Sequence, residues 1–529
     1  MKKGKGLLTG ILLVLVMAAI ITGSLVAGYK FITTINKDAK RRFEEVSKNI
    51  ESASKEKLGI SLDKHLGIDE TKLLGYEEKE KRNYQGARIY ECNSYIFNDR
   101  GDVLTDFFKE DSYGLSIRFD ADRKYAVLQD GGDCYLIDSD LNYTRIARDC
   151  AYCGINFEGT YAFYTSSSGV CLYEIENKKE IQIDDSGFDA CISPNGKMLC
   201  YIKYQSGGDT GIYVAGIDKE PEWIDMTDTG FFHPYAVSDD GKYAFYEAND
   251  TSIGTGLMCS NDGERYKLSK NYTRTILFDR NCQKVLFYYD KMIRYYDVFT
   301  NSVVDLSIDD DISELKAFGD YNYVLNDSYY SMILDASNFE ENVIITGYKS
   351  VYCTRGVIPE AVLLANDYCN NFGLCKEGPG CVSIRDDSIV KAVYSGDEVL
   401  ETTLYEDTEH IAYVSMNDDL SEGIMIIREK VEDKYTYNLY SITEDGTKEF
   451  VAECGQDFID CIRWDKFFKK CYYISDGNVY SLDIKTGKTA LVASDCEAFD
   501  YVFARDAVPG FKDNSGKLFY IINDKVYER

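Results

Sequence analysis

The stretch Ile192-Ser-Pro-Asn-Gly-Lys-Met-Leu-Cys-Tyr201 predicts the fold of this 529-residue chain, because other parts of the sequence repeat its pattern. The pattern is the end of a strand, a charged tight turn and a second strand that ends in tyrosine. It returns as Val237-Ser-Asp-Asp-Gly-Lys-Tyr-Ala-Phe-Tyr246 and, aligned on the lysine, at Phe119 to Leu128, Phe278 to Tyr288 and Asp513 to Tyr520. A period of roughly 35 to 45 residues, with several short strands and no helix in each unit, indicates a β-propeller.

Further strands complete the unit. A third strand follows the hairpin, as in Gly211-Ile-Tyr-Val-Ala215 and Asn478-Val-Tyr-Ser-Leu482, and a fourth follows a polar turn, as in Trp223-Ile-Asp-Met-Thr227. Four antiparallel strands make one propeller blade. The sequence therefore predicts an all-β propeller over residues 87–529.

The number of blades is harder to predict from the sequence. The repeat spacing gives about nine or ten units, whereas propellers typically have four to eight blades. Lys349 to Cys454 is the irregular part, with three cysteines between Cys369 and Cys381 and a charged stretch from Asp418 to Lys434. We interpret these features as insertions and predict one ring of eight four-stranded blades, with two smaller propellers as the alternative.

The last unit has only three evident strands, near Ala498 to Ala504, Lys517 to Ile522 and Lys525 to Glu528. An open edge there would leave a row of unpaired backbone groups. We therefore expect the segment from Ala87 to Glu91, or its continuation to Phe97, to pair as the outer strand of the last blade and so close the ring.

The repeats carry a family resemblance. SPNGKMLCY at 193–201, SDDGKYAFY at 238–246 and GIYVAGID at 211–218 resemble the TolB-type and WD40-like propeller repeats, whose common form is S-P-D-G-K followed by an apolar strand and then an I-Y-V-D strand. Periplasmic scaffold proteins, lids of serine peptidases and surface binding proteins share this motif. The resemblance therefore implies a fold and no particular activity.

The N-terminal region is predicted to attach the propeller to a membrane. Residues 1–6 form a short basic tail, and Leu7 to Ala27 is a run of twenty-one residues without a charge. At 1.5 Å per residue this run spans a hydrocarbon core of ~30 Å, so residues 7–28 are predicted to be a transmembrane anchor. The alternative is a cleaved signal peptide with Leu25-Val-Ala27 as its site, although signal h-regions usually run to about 7–15 residues.

Residues 29–86 are predicted to form a helical stalk and linker. Apolar residues recur at threes and fours from Phe31 to Leu58, a spacing typical of an amphipathic helix. This helix would either pair two stalks into a dimer or lie singly against the propeller or the membrane. Lysines and arginines flank both ends of the anchor, so charge does not fix its orientation. Because long domains are translocated largely regardless of charge, we expect the propeller outside the cytoplasmic membrane.

Charge limits the partners of the propeller. The chain has a formal charge of −30, and residues 1–60 carry +6, which leaves −36 for the remainder. A surface this acidic repels phosphate backbones, so we expect no nucleic-acid partner and favour cationic ones.

The 17 cysteines are too sparse for a disulfide scaffold. Cys191 aligns with Ala236 and Cys200 with Phe245 in the neighbouring repeat, so most cysteines are predicted to be unpaired core residues. Cys150-Ala-Tyr-Cys153 has a spacing that suits metal binding or thiol exchange, but the chain offers no second half for a zinc site. We interpret this pair as strand-edge cysteines or a local disulfide.

Other motifs have simpler interpretations. Asp138 to Asp149 begins like a calcium loop, but Tyr143 occupies the sixth position, which requires glycine, so a turn is predicted. Asp309 to Asp311 is predicted to be a solvated turn. Lys485 to Thr489 resembles the end of a phosphate loop but is predicted to be a hairpin turn. We therefore predict no metal or cofactor site, and catalytic residues stay unknown.

Tyrosine is abundant, with 44 copies and doublets at Tyr288-Tyr289, Tyr295-Tyr296 and Tyr472-Tyr473. In a strand one member of each doublet should face inward and the other outward. Such rings could stack on sugars or peptides, but tyrosine is also simply a good β former.

These observations favour a membrane-anchored, extracytoplasmic propeller that serves as a binding or scaffold module for a protein, peptide or glycan on one face. The chain has no G-x-S-x-G elbow, so the hydrolase that accompanies peptidase propellers is missing. The alternative is a carbohydrate-active enzyme, a hydrolase or lyase, with paired carboxylates in the funnel. A cytoplasm-facing adaptor is a third possibility.

Overall fold

The computed structural model describes residues 84–528 apart from internal gaps, the longest at 105–115, 318–329, 455–461 and 500–507. The predicted anchor at 7–28 and nearly all of the predicted stalk at 29–86 lie outside the described residues. Across the described part the regular structure is β-strand, in 44 strands. None of these residues belongs to a helix long and apolar enough to cross a membrane.

The strands form eleven sheets in chain order, which are the blades of a propeller. Blades 1 to 3 consist of β1 (Ile89–Cys92), β2 (Tyr95–Asn98) and β3 (Val103–Leu104); β4 (Ser116–Phe119), β5 (Tyr125–Asp130), β6 (Asp133–Asp138) and β7 (Tyr143–Ala147); and β8 (Cys150–Ile155), β9 (Tyr161–Ser166), β10 (Gly169–Glu174) and β11 (Lys179–Asp184). Blades 4 and 5 consist of β12 (Phe188–Ile192), β13 (Met198–Tyr204), β14 (Thr210–Gly216) and β15 (Lys219–Thr227); and β16 (Phe231–Val237), β17 (Tyr243–Asn249), β18 (Gly256–Asn261) and β19 (Glu264–Lys267).

One strand from the chain segment of blade 7 joins the sheet of blade 6. Blade 6 consists of β20 (Thr275–Phe278), β21 (Lys284–Tyr289), β22 (Met292–Asp297) and β23 (Ser302–Asp305), and blade 7 of β24 (Ile312–Ala317), β26 (Val343–Gly347), β27 (Val351–Arg355) and β28 (Glu360–Ala365). Between β24 and β26 the chain forms β25 (Tyr330–Ile333), which pairs in parallel with β20. Blade 6 therefore has five strands.

The remaining four blades are regular four-stranded antiparallel sheets. They consist of β29 (Asn371–Cys375), β30 (Gly378–Arg385), β31 (Ser388–Ser395) and β32 (Glu398–Glu406); β33 (His410–Met416), β34 (Glu422–Val431), β35 (Lys434–Thr443) and β36 (Lys448–Cys454); β37 (Ile462–Asp465), β38 (Lys470–Ser475), β39 (Asn478–Asp483) and β40 (Lys488–Ser494); and β41 (Cys496–Phe499), β42 (Gly510–Asp513), β43 (Leu518–Ile522) and β44 (Lys525–Glu528).

The prediction of eight blades is wrong. The region interpreted as insertions folds into two further regular blades, and β1 to β3, part of which was expected to pair within the last blade, form a blade of their own. The charged stretch from Asp418 to Lys434 contains β34, whose residues Glu422 to Ile427 are all buried. On the outermost strand of blade 8, β32, the charged residues Glu398, Glu401 and Glu406 are exposed. Inner strands are covered on both faces and outer strands are solvated, so the simple alternation that marks a half-buried strand is missing from both.

Each pair of consecutive blades shares a buried apolar cluster. Between blades 5 and 6, for example, the ring centroids of Phe245 and Phe278 lie 5.1 Å apart. The same covering of both faces explains the tyrosine doublets. Tyr295 and Tyr296 are both buried, because one packs toward blade 7 and the other toward blade 5. The expectation that one tyrosine of each doublet faces outward is therefore wrong for this pair.

The ring closes by packing between blade 11 and blade 1. The ring centroids of Tyr95 and Tyr520 lie 5.5 Å apart, and Phe97 and Ile522 belong to the same buried cluster. The Tyr95 hydroxyl also donates a hydrogen bond of 3.0 Å to the carbonyl oxygen of Glu528. Side chains that are more than 400 positions apart thus hold the two ends of the propeller together.

The predicted mode of closure is wrong. Ile89–Cys92 pairs with Tyr95–Asn98 in a local hairpin, and blade 11 supplies four strands of its own. The first of these, β41, ends at Phe499 and β42 begins only at Gly510, so the strand that sequence reading missed is Gly510–Asp513. Pairing within a hairpin closes a much shorter loop than pairing across the whole chain, and it costs less entropy.

A buried polar residue after the first strand sets the repeated turn. Its side-chain oxygen accepts the backbone N–H five residues later, at the start of the second strand. In blades 4 and 5 this residue is a serine, with hydrogen bonds of 3.1 Å from Met198 to Ser193 and 3.0 Å from Tyr243 to Ser238. The same position is filled by acid or amide side chains in other blades: Asp120, Asn156, Asp279 and Asn417. Gly196 takes the positive φ of 79° that this turn needs.

Candidate functional site

The first strands of blades 2 to 5 contact one another and line the middle of this part of the ring, whereas fourth strands such as β7 and β19 are largely exposed. These first strands, together with Glu247 on the second strand of blade 5, bring polar side chains into one series, which we call the polar track. It consists of Arg118, Tyr152, Asp189, His233, Tyr235 and Glu247.

The track begins on β4 and β8. Arg118 is 6% exposed, and its Nη2 atom donates a hydrogen bond of 3.3 Å to the Tyr152 hydroxyl. The guanidinium carbon also lies 5.5 Å from the centre of the tyrosine ring. Burial raises the pKa of Tyr152 to about 12, and the nearby Asp189 carboxylate adds to the increase while Arg118 opposes it. Tyr152 therefore stays protonated and is a hydrogen-bond donor at physiological pH.

Asp189 and His233 form the centre of the track. The Nδ1 atom of His233 lies 2.6 Å from Oδ2 of Asp189, and the two side chains are 20% and 24% exposed. Asp189 sits at a β-bulge between Phe188 and Ala190 and has a φ of 43°, which is unusual for a residue with a side chain. The bulge directs this carboxylate away from its own ladder and toward the neighbouring blade.

Glu247 lies opposite His233 in the register of β16 and β17. It is 4% exposed, and the Tyr235 hydroxyl donates a hydrogen bond to its Oε2 atom. Its Oε1 atom is buried and accepts no hydrogen bond from the residues that the structure describes. Burial raises the pKa of Glu247, although Tyr235 and His233 lower it in part. An unsatisfied buried carboxyl oxygen is costly and is often part of a functional site.

Aromatic side chains lie beside the centre of the track, since Phe188 precedes Asp189 and Phe231 is two residues before His233. Phe188 and Tyr204 stack with their ring centroids 4.4 Å apart and their planes at 21°, and Tyr204 is 67% exposed. Phe231 is 51% exposed and lies on the same face of β16 as His233, two residues further on. We call Phe188, Tyr204 and Phe231 the aromatic mouth. Apolar surface beside a few convergent polar groups is the usual composition of a ligand site.

Most motifs considered in the sequence lie outside this site. The segment from Asp138 to Asn142 is a turn, in which Asp138 Oδ1 accepts the backbone N–H groups of Asp140 and Asn142 at 3.0 Å. Thr486 and Gly487 lie in the turn between β39 and β40, as predicted for a hairpin. Asp309 to Asp311 falls outside the described residues. Cys150 and Cys153 are unpaired and buried on β8, which is an edge strand of the blade 3 sheet, in line with the strand-edge interpretation.

No member of the polar track was predicted from the sequence to be a site residue. The spacing of three of them from the turn-setting residue of their blade could have identified them. Tyr152 and Asp189 each stand four residues before the turn-setting residue of their blade, and His233 stands five before Ser238. Alignment of the repeats on those turn residues would have brought Tyr152 and Asp189 to one position, with His233 one residue earlier. Two β-bulges, however, decide which side chains meet.

No metal cluster is evident in this part of the chain: the described His, Cys, Asp and Glu residues include no group of three or more placed to hold an ion. The site therefore offers hydrogen bonds, one cation and two carboxyl groups to a ligand.

The fold and site define a β-propeller with a polar track at the centre of blades 2 to 5. No protein-family model matches the chain, and no curated protein matches it. Solved structures to which it is similar include TolB from Acinetobacter baumannii, at 16% identity and a TM-score of 0.29, with 42% of this chain and 63% of that chain covered. Porphyromonas gingivalis dipeptidyl peptidase 4 is similar at 11% identity and a TM-score of 0.34, over 77% of this chain and 64% of that chain. The chain thus spans less than two thirds of either structure.

Proposed function

We propose that this chain is a membrane-anchored, extracytoplasmic binding module whose ligand enters through the aromatic mouth and is held by the polar track. The observation that carries this proposal is the contact between Asp189 and His233, which joins two blades with polar groups that remain partly exposed. The uncharged run from Leu7 to Ala27 supports the membrane anchor.

The site favours a ligand with both apolar surface and hydrogen-bonding groups, such as a glycan or a peptide. Exposed aromatic rings stack on sugar rings and on apolar side chains. Asp189 accepts hydrogen bonds, and Tyr152 and Arg118 donate them. The acidic character of the chain favours a neutral or cationic ligand over an anionic one.

Two experiments test the two parts of the proposal. Protease treatment of intact cells tests location: we expect the propeller to be cut together with known surface proteins, and survival of the propeller contradicts the exported arrangement. Thermal shift of the purified full chain against panels of neutral oligosaccharides and basic peptides tests binding. An increase in Tm that is lost in His233→Ala and kept in His410→Ala supports the site. Equal increases in both variants place the ligand elsewhere.

A carbohydrate-active enzyme is the second candidate, because Asp189 and Glu247 are two carboxyl groups in different environments around one histidine. Glu247 has a raised pKa and could act as an acid, as the general acid of glycosidases does. Glu247, however, is 4% exposed and is covered by Tyr235, so a substrate reaches Asp189 more easily than Glu247. Release of new reducing ends from an oligosaccharide by the wild type, and not by Glu247→Gln, would favour the enzyme over the binding module.

A further inference from the structure

Three cysteine thiols meet between blades 2 and 3. Cys134 lies on β6 of blade 2, and Cys150 and Cys153 lie on β8 of blade 3. All three are unpaired and buried, at 0%, 5% and 3% exposure, and they pack in one cluster. Cys171 of blade 3 belongs to the same cluster, but its thiol is hydrogen-bonded to Tyr164. The thiol of Cys134 is within hydrogen-bonding reach of both of the others.

A β-bulge creates this arrangement. Residues three apart in a regular strand point to opposite faces. Cys150 lies opposite Ser166 and Cys153 opposite Tyr164, so Ala151 is an extra residue and the two thiols share one face. Gln129 stabilises the bulge, since its Nε2 atom donates hydrogen bonds to the carbonyl oxygens of Cys150 at 3.0 Å and Ala151 at 3.2 Å.

We propose that Cys134, Cys150 and Cys153 form a thiol–disulfide exchange site, in which Cys134 is the shared partner of two alternative disulfides that each join blade 2 to blade 3. Across the bulge, Cys150 and Cys153 are separated by two strand positions, or about 7 Å between Cα atoms. That is at the upper limit for a disulfide, whose Cα atoms usually lie about 4.4–6.8 Å apart. Cys134, which touches both, is the better partner for each.

The position of Cys150 makes it the entry point. It is the first residue of β8 and follows the exposed residues Arg148 and Asp149. The hydrogen bond from the Cys134 thiol lowers the pKa of Cys150, against the opposing effects of burial and of Asp133 and Asp149. The same hydrogen bond, together with burial, raises the pKa of Cys134. Because the thiolate is the nucleophile, Cys150 reacts first.

The oxidant is a low-molecular-weight disulfide. The Cys150 thiolate attacks one of its sulfur atoms, which releases one small thiolate and leaves a mixed disulfide on Cys150. Cys134 gives its proton to the released thiolate and attacks the Cys150 sulfur, which expels the second small thiolate and forms the Cys134–Cys150 bond. Two protein thiols are oxidised, and one small disulfide is reduced to two thiols. Attack by Cys153 on the Cys134 sulfur then forms the second disulfide and frees Cys150.

Two other cysteine pairs provide controls within the same chain. Cys191 lies directly opposite Cys200 in blade 4, and Cys369 is hydrogen-bonded to Cys381 in blade 8. A third thiol also lies near each pair, Cys282 near Cys191 and Cys353 near Cys381. These pairs therefore serve as a comparison for how fast buried cysteines elsewhere in the same folded chain are oxidised.

The test is peptide mapping of the full chain in detergent. The protein is reduced, incubated with oxidised glutathione, alkylated and digested without reductant. We expect Cys134 linked to Cys150 in one fraction of molecules and to Cys153 in another. Cys153→Ser should give only the first link. Cys150→Ser should give only the second and slow the oxidation of Cys134 at least several-fold, whereas Cys191→Ser should not change its rate.

Two results would overturn the proposal. One is a wild-type protein in which Cys134 remains fully alkylated after glutathione has oxidised other thiols of the folded chain. The other is a Cys150–Cys153 link as the main product, since this bond leaves out Cys134. Both results are read from the wild type, so neither depends on a variant that folds.

Discussion

The Nδ1 atom of His233 lies 2.6 Å from Oδ2 of Asp189, and this contact joins the first strands of blades 4 and 5. Asp189 reaches its partner from a left-handed backbone conformation, with φ at 43°. Such a conformation costs of order 1 kcal/mol or more for a residue with a side chain, and it persists where the surrounding structure holds it. Asp189 thus combines a strained backbone with a side chain in the proposed binding site. Substitutions at this position can separate the effect of the strain from the effect on binding.

The first prediction concerns His233. We expect His233→Ala to weaken ligand binding by tenfold or more and to change the free energy of unfolding by less than about 1 kcal/mol, because the hydrogen-bonded pair is partly exposed. A matched control exists in blades 8 and 9, where His410 Nδ1 lies 2.9 Å from Asp387 Oδ1 with both side chains more exposed. His410→Ala should leave binding unchanged. Titration of each variant with the ligand identified by thermal shift measures its binding affinity. Equal losses of affinity in the two variants contradict the site.

A second prediction separates strain from function at Asp189. Glycine adopts a positive φ without steric cost, whereas alanine keeps the Cβ atom and lacks the carboxylate. We expect Asp189→Gly to be more stable than Asp189→Ala by about 1 kcal/mol, and both to lose binding. Urea denaturation compares their stabilities. If the alanine variant is as stable as the glycine variant, the backbone at this position is not strained.

A third prediction concerns pH and the turn-setting Asp279 of blade 6. Its carboxylate is fully buried, and burial raises its pKa to about 7, with Asp297 adding to the increase and three backbone N–H groups opposing it. An unfolded aspartate has a pKa of about 3.9. The folded state therefore binds the proton more tightly, so the contribution of Asp279 to stability is full below pH ~4 and is lost as the pH rises through about 7.

Asparagine should remove this dependence, because Asn156 and Asn417 fill the same position in blades 3 and 9 and accept the same backbone N–H. We expect Asp279→Asn to gain roughly 2–4 kcal/mol over the wild type between pH 5 and pH 8. Urea denaturation at a series of pH values measures the difference. Parallel stability curves for the two proteins would show that Asp279 does not titrate in this range.

A fourth prediction concerns ring closure. Phe97 is fully buried between blades 1 and 11, so Phe97→Ala should cost about 3–5 kcal/mol through lost burial and the cavity left behind. Val526→Ala, on the exposed outer strand of blade 11, should cost less than about 1 kcal/mol. Thermal unfolding measures both. Similar small losses in the two variants would mean that the contact between the first and last blades does not support the ring.

Local chemistry made much of the fold predictable from sequence. Ser193 and Ser238 set their turns with hydrogen bonds to the backbone five residues later, and Gly196 supplies the positive φ, all within ten residues of chain. Such contacts depend on nearby residues alone, so the hairpins, the four-stranded unit and the all-β class could be read directly. Cys191 and Cys200, placed in the core by alignment with Ala236 and Phe245, are buried as predicted.

The number of blades and the sites depended on tertiary structure. Eleven blades close because Tyr95 packs against Tyr520, a contact between the two ends of the propeller that no local pattern specifies. The bulges at Asp189 and Ala151 rotate side chains onto faces that regular alternation would not predict. The sequence by itself therefore determined the repeating unit, whose hydrogen bonds are local. Only the tertiary structure decided how many units form the ring and which side chains meet between them, because both depend on long-range packing and on one-residue shifts in register.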